Sequence, residues 1–250
     1  MELTADGFRA LCRSSPWKWR SLRFHVRWLP DSPSALAVNA WLRRPHALRI
    51  EALDGSVLHS TAGINDSKDS LFTSGSRKPW LLPPHLVTPG YQADGLVRRR
   101  PEALYGEPGY GISQSAAALF SAWLDPVELA GNAPVPLEFP FANVADPEEL
   151  SLVDHEGREA VETVLKPNPS YRPAQADAAI LFPGRTALRI DTETGICVAS
   201  QSLEGETAGQ GHWISIHAVD EYMLDDLFTQ DSSLLTDVRQ HIEWELPQAQ

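Results

Sequence analysis

The chain has 250 residues, of which 42% are hydrophobic and 22% charged, and its net charge is −12. That composition is globular and excludes a disordered or collagen-like chain. No run approaches the roughly 18 apolar residues of a membrane span, and the opening Met1–Arg13 lacks the apolar core of a secretory signal and carries Glu2 and Asp6 early. A cytoplasmic protein with no transmembrane segment is therefore expected.

A first helix is expected from Ala5 to Arg13, with Thr4 as its cap and Phe8, Leu11 and Cys12 on one face. Leu22, Phe24, Val26 and Trp28 then alternate with Arg23, His25 and Arg27, the period of a half-buried strand. Leu36, Val38, Ala40 and Leu42 repeat the pattern, and Leu48, Ile50 and Ala52 give a third strand. Asp54-Gly55 predicts a hairpin turn into Val57 and Leu58. The connections are too short for parallel crossovers, so this quarter is an antiparallel meander. Residues 76–92 carry Pro79, Pro83, Pro84 and Pro89 and predict a loop or edge segment.

Ser113 to Leu124 is Ala-rich and places Leu119, Phe120, Trp123 and Leu124 on a helix that Pro126 ends. Asp125-Pro126-Val127-Glu128 reads as a cap, a first-turn proline and a capping carboxylate, opening a second short helix. Residues 132–147 hold four more prolines and predict another loop. Strands return at Leu150–Val153, turn at Glu156-Gly157, and continue through Val161, Val164 and Leu165. Leu188 and Ile190 lead into a turn at residues 191–195, then Ile196, Val198 and Ser200. The glycines from Gly205 to Gly211 predict a flexible hairpin loop into a strand at Trp213–Val219. Asp220 is placed to cap a short helix through Phe228, and Leu234, Leu235, Val238 and Ile242 suggest a final helix. No repeat or clean linker divides the chain, so residues 1–250 are expected to form one domain.

Charge is unevenly spread. Residues 1–100 hold 15 Lys/Arg against 8 Asp/Glu, a balance of +7, and the rest hold 6 against 25, a balance of −19. Either the first part offers a basic patch to an anion, or the two parts pair and neutralise each other. Two cysteines, Cys12 and Cys197, cannot build a disulfide framework, and their apolar neighbours predict reduced core thiols.

The familiar chemical motifs are missing. His155-Glu156 sits at a predicted hairpin tip, where polar residues are ordinary. His212 and His217 are five apart on one strand, on opposite faces, so they cannot chelate one metal. Asp220, Glu221, Asp225 and Asp226 lack the spacing of a calcium loop. Gly109 to Ser113 is not a hydrolase elbow, since position 115 is Ser. Neither a phosphate-cradling loop nor a dinucleotide fingerprint occurs. Trp17, Trp19, Phe24 and Trp28 interleave with Lys18, Arg20, Arg23 and Arg27, but strand phase puts Phe24 and Trp28 opposite Arg23 and Arg27. A nucleic-acid surface wants aromatics and cations together, so no nucleic-acid partner is expected. Arg98-Arg99-Arg100 reads as a solvated strand end. Catalytic residues, metal and cofactor are all expected to be absent.

An N-terminal helix leads into long amphipathic antiparallel strands that short helices interrupt. Leu188-Arg189-Ile190-Asp191 runs through Thr194-Gly195 into Ile196-Cys197-Val198 as strand, turn and return strand. This arrangement resembles the bacterial lipoprotein-localisation-factor superfamily, which includes lipoprotein carriers and a periplasmic regulator of an anti-sigma factor. The resemblance spans roughly residues 1–60 and 150–228, with only the helices in common between them. It implies an α+β fold in which an antiparallel sheet is curled into an open half-barrel around an apolar cavity. An N-terminal helix, two short central helices and a C-terminal helix would accompany the sheet. Members usually work outside the cytoplasm, and the absence of an export signal in this opening departs from them.

The expectation is a non-enzymatic binding protein that takes an apolar small molecule or lipid, or a partner protein's peptide, beneath helices at 113–131. Phe24, Trp28, Val38, Phe120 and Trp123 would line that site. A protein–protein regulator and a hydrolase with an unrecognised site are the alternatives.

Overall fold

The computed structural model of the chain describes residues 3–30, 37–44, 47–61, 88–100, 118–130, 146–169, 171, 173 and 179–229. The alternating segments form strands because each buries every second side chain. In β1 (Ser21–Leu29), Leu22, Phe24 and Val26 are fully buried while Arg23, His25 and Arg27 are half-buried. In β2 (Ala37–Arg43), Val38, Ala40 and Leu42 are buried. Register sets Leu22 opposite Leu42, Phe24 opposite Ala40 and Val26 opposite Val38, so both sets share one face. β3 (Ala47–Ala52) and β4 (Val57–Thr61) extend the meander. Gly55 supplies the positive φ of 85° at their turn, and the Asp54 carboxylate accepts from the Ser56 amide at 2.9 Å.

The later strands form a second meander: β7 (Glu148–His155), β8 (Arg158–Leu165), β9 (Thr186–Asp191), β10 (Cys197–Ser202) and β11 (Gly211–Val219). A short pair, β5 (Gly90–Tyr91) and β6 (Val97–Arg99), stands apart. β1 pairs antiparallel with β11, which fuses the two meanders into nine strands ordered β4-β3-β2-β1-β11-β10-β9-β8-β7. The expected half-barrel is corrected here: the sheet is open and is not curled into one. The meanders join at β1 and β11 and grow away from each other, so the terminal strands β4 and β7 end up at opposite ends of the sheet.

Helix α1 spans Ala5–Lys18, with Thr4 Oγ1 accepting from the Gly7 amide at 3.2 Å. It continues past the expected Arg13 end, through Pro16. Ser14 Oγ donates to the Ala10 carbonyl at 2.6 Å and accepts from the Val97 amide at 2.8 Å, while Ser15 Oγ donates to the Leu124 carbonyl at 2.5 Å. Those tertiary bonds favour one more turn than local propensity does. Gly195, at φ 73°, brings the β9–β10 turn against the helix, and a Cβ there would stand 2.9 Å from the Leu11 carbonyl oxygen.

Helix α2 covers Ala118–Leu124. The second central helix is only a 3-10 turn, Val127–Leu129. Asp125 does not cap it, because its carboxylate forms a two-pronged ion pair with buried Arg100. Arg100 is therefore no solvated strand end, although Arg98 and Arg99 are exposed. Arg13 pins the same layer by donating to the carbonyls of Val97 at 3.1 Å and Ala130 at 3.3 Å. Asp220 caps no helix either. It turns at φ 56°, and its carboxylate accepts from the Arg20 amide at 2.6 Å and the Ser21 amide at 3.2 Å. A 3-10 turn, Asp225–Phe228, follows. The C-terminal helix expected near 234–242, most of the 76–92 and 132–147 loops, and the start of the 113–124 helix lie outside the described residues.

Part of the charge asymmetry is paired internally. Arg23 pairs with Glu221 at 3.0 Å, and Arg9–Asp146, Arg43–Asp225 and Arg100–Asp125 likewise join the basic part to the acidic part. Cys12 and Cys197 are both free and buried. Among the described residues no helix is long and apolar enough to cross a membrane.

Candidate functional site

Four of the five residues expected to line a site converge. Phe24 and Trp28 project from β1, and Phe120 and Trp123 descend from α2. The Phe120 ring meets Phe24 edge-on, with centroids 5.8 Å apart, and meets Trp28 at 6.2 Å. Trp123 lies 5.8 Å from Trp28 and 6.0 Å from Phe120. Strand period two aims Phe24 and Trp28 at one face, and the three-residue step from Phe120 to Trp123 aims both at the sheet. Phe24, Phe120 and Trp123 are buried, whereas Trp28 is half-buried and carries the cluster toward the surface. Val38 lies one strand away on the same face, buried opposite Val26.

The floor of this cluster is polar. Trp123 stacks on the His212 imidazole, with centroids 4.0 Å apart and planes 15° from parallel. His212, only 1% exposed, donates from Nε2 to the Cys197 carbonyl at 2.9 Å, which leaves Nδ1 to accept from Ser200 Oγ at 2.8 Å. Burial pushes its pKa down to about 4, so the ring is neutral at pH 7. Trp123 itself is 4% exposed, and its indole N–H has no acceptor among the described residues.

Ser200 and His212 resemble part of a nucleophile–base pair. A working base, however, must carry the proton it takes, and the third member of such a site stabilises that cation with a carboxylate. Here a carbonyl occupies that place, and burial disfavours the imidazolium. Ser200 is itself buried. The pair therefore orients the ring beneath Trp123 rather than activating a hydroxyl.

On the opposite face, Glu156 and Gly157 form the exposed polar turn of the β7–β8 hairpin that the sequence suggests. They take the positive φ values of 56° and 82° that such a turn requires, and the tip also docks on β11. His155, 3% exposed, bonds through Nε2 to the Ile214 carbonyl at 2.9 Å, just beyond the last β10–β11 register pair, Ala199 with Trp213. Its ring lies 4.3 Å from Trp213, whose Nε1 donates to Glu156 Oε1 at 2.6 Å. The guanidinium groups of Arg27 and Arg189 sit 5.0 and 5.3 Å from the Trp213 ring. His217 is exposed and lies on the face away from His212, as its odd spacing requires. Among the described residues no group of three or more His, Cys, Asp or Glu could hold a metal.

Sequence reasoning passed over Ser200 as a partner of His212. The signal was present: a hairpin closing over the Gly205–Gly211 loop puts Ser200 opposite His212 in register. The docking of His155 and Glu156 on Trp213 had no comparable signal, because β7 and β11 are not neighbours in the sheet. Comparison with known protein families and with curated proteins finds no match to this chain.

Proposed function

We propose that this is a non-enzymatic binding protein that takes an apolar or amphipathic small molecule at the Phe24–Trp28–Phe120–Trp123 cluster, between the sheet and α2. The observation that carries this reading is that four aromatic rings from two elements converge and that the outermost, Trp28, reaches the surface. Small-molecule sites are mostly apolar and aromatic with a few placed polar groups, and Trp123, His212 and Ser200 supply those. The ligand class is also the one implied by the resemblance to lipoprotein-localisation factors, and the open sheet serves it without a half-barrel.

A neutral naphthylamine fluorophore tests the reading. Saturable one-to-one binding to the native protein is expected, and Val38→Trp should abolish it at unchanged folding by filling the same face. Binding that never saturates, or that Val38→Trp leaves untouched, would reject the site.

A second reading has its own observation. Leu53, Val57 and Leu58, at 65%, 40% and 54% exposure, crowd the β3–β4 hairpin. Exposed apolar groups gathered at one place mark contact surfaces, so a protein partner is the alternative. Sedimentation of the L53S/L58S double variant should show a changed association state if that hairpin is an interface.

A further inference from the structure

We infer, resting on the binding reading above, that the site selects neutral amphiphiles: an apolar chain carrying one uncharged oxygen acceptor, held by the Trp123 indole N–H. The first ground is an unsatisfied group. An indole Nε1–H is a donor only, and buried donors are nearly always paired. Trp123 Nε1 is buried without an acceptor among the described residues, on a ring of the aromatic cluster. Leaving such a donor unmade is costly, so an acceptor arriving there gains more than it would at a surface.

The second ground is charge. A carboxylate or phosphate head buried here would need a cation, because an unpaired buried ion is strongly disfavoured. The histidine under Trp123 is neutral, held so by burial against the pull of the Cys197 carbonyl. Arg100, beyond the end of α2, is already engaged by Asp125. Arg13 is spent on the Val97 and Ala130 carbonyls. Among the described residues the polar groups at the rings are therefore one free donor and a satisfied Ser–His pair, a set that suits an ester, amide or alcohol oxygen better than an anion.

The third ground is shape. Trp28 is the half-buried ring and Trp123 the deeper one, so a guest entering at Trp28 reaches the donor with its inner end. An oxygen set within an apolar chain fits that order better than a terminal charged head.

Displacement of the naphthylamine fluorophore by decanol, methyl decanoate and decanoate tests this on the full chain. The two neutral ligands should compete at least tenfold better than decanoate at pH 7.5. Trp123→Phe should cut the neutral ligands' affinity about tenfold and bring it down toward that of decanoate. Should that variant not fold, the 15N-labelled indole resonance of Trp123 in the wild type should move downfield with methyl decanoate. Decanoate competing equally, or an indole resonance unmoved at saturation, overturns the inference yet leaves the binding reading intact. Failure of the fluorophore to bind at all overturns both.

Discussion

Each face of the central strands carries one tryptophan against one histidine. Inside, Trp123 stacks flat on His212 at 4.0 Å and its N–H finds no acceptor among the described residues. Outside, Trp213 leans on His155 at 4.3 Å, its N–H is taken by Glu156, and two arginines flank its ring. The outer indole is satisfied and serves as a clasp that ties the β7–β8 tip to β11. The inner indole is buried with its one polar valence open. Tryptophan supplies area in both places, and the difference lies in whether its N–H is spent on the fold.

The largest expected effect separates the two directly. Trp123→Ala removes a buried ring from among three others and should cost about 3–5 kcal/mol. Trp213→Ala removes a half-buried ring and should cost about 1–2 kcal/mol. Urea denaturation of both variants at pH 7 checks the order. Equal losses would mean that α2 is held elsewhere and that the aromatic cluster is incidental to stability.

Acid comes next. Burial lowers the pKa of His212 from 6.5 to about 4, and burial likewise lowers that of His155 against the pull of the Ile214 carbonyl. Depressed histidines bind fewer protons in the folded than in the unfolded chain. Their contribution is therefore full above pH 6.5 and is lost as pH falls through the folded values. For His212 alone the loss between pH 6.5 and 4 is about 3 kcal/mol. Denaturant midpoints across that range should fall accordingly. Imidazole proton resonances should show His212 taking up its proton only near pH 4. If His212 titrates near 6.5 instead, the inner face is open to water and the comparison between faces fails.

Ser200→Ala probes the inner polar floor alone. It leaves His212 Nδ1 buried without its donor, which should cost about 1–2 kcal/mol. It should also change the ring's orientation under Trp123, read as a shift in near-ultraviolet circular dichroism. No change in either would assign His212's placement to the Cys197 carbonyl alone.

Much of the sheet was legible because period-two alternation is a local signal. Leu22 to Trp28, residues 38–42 and the turns at Asp54-Gly55, Glu156-Gly157 and 191–195 all stand where the pattern put them. What failed was decided by distant partners. Asp125 and Asp220 have the residue type and position of helix caps, yet Arg100 and the Arg20–Ser21 amides hold them instead. The first helix was expected to end at Arg13, and contacts of Ser14 with Val97 and of Ser15 with Leu124 hold it to Lys18. The open nine-stranded order could not be read at all, since nothing local says that β1 pairs with β11. For the site, phase gave the aromatic members, whereas the His212 stack depends on where α2 lands.

The smallest expected effect tests the outer clasp. Glu156 is drawn in two directions: burial raises its pKa, but hydrogen bonds from Ser215 and Trp213 outweigh burial and leave it below the ordinary carboxylate value. A depressed carboxylate stabilises the fold above its unfolded pKa and loses that contribution as pH falls through the folded value. Glu156→Gln keeps the side chain's size and an oxygen that can accept from Trp213 Nε1, and deletes only the negative charge that faces Arg27 and His155. Exposed and half-exposed charges of this kind contribute little, so the loss at pH 7 should stay below about 1 kcal/mol. The same substitution should flatten the acid dependence of Trp213 emission below pH 4.5, where the wild-type carboxylate would be taking up its proton. A loss well above about 2 kcal/mol would mean that charge, not the N–H bond and ring packing, holds the β7–β8 tip on β11. In that case Trp213 would be a passive spacer between ions, and the contrast with Trp123 would rest on charge rather than on whether the indole N–H is spent.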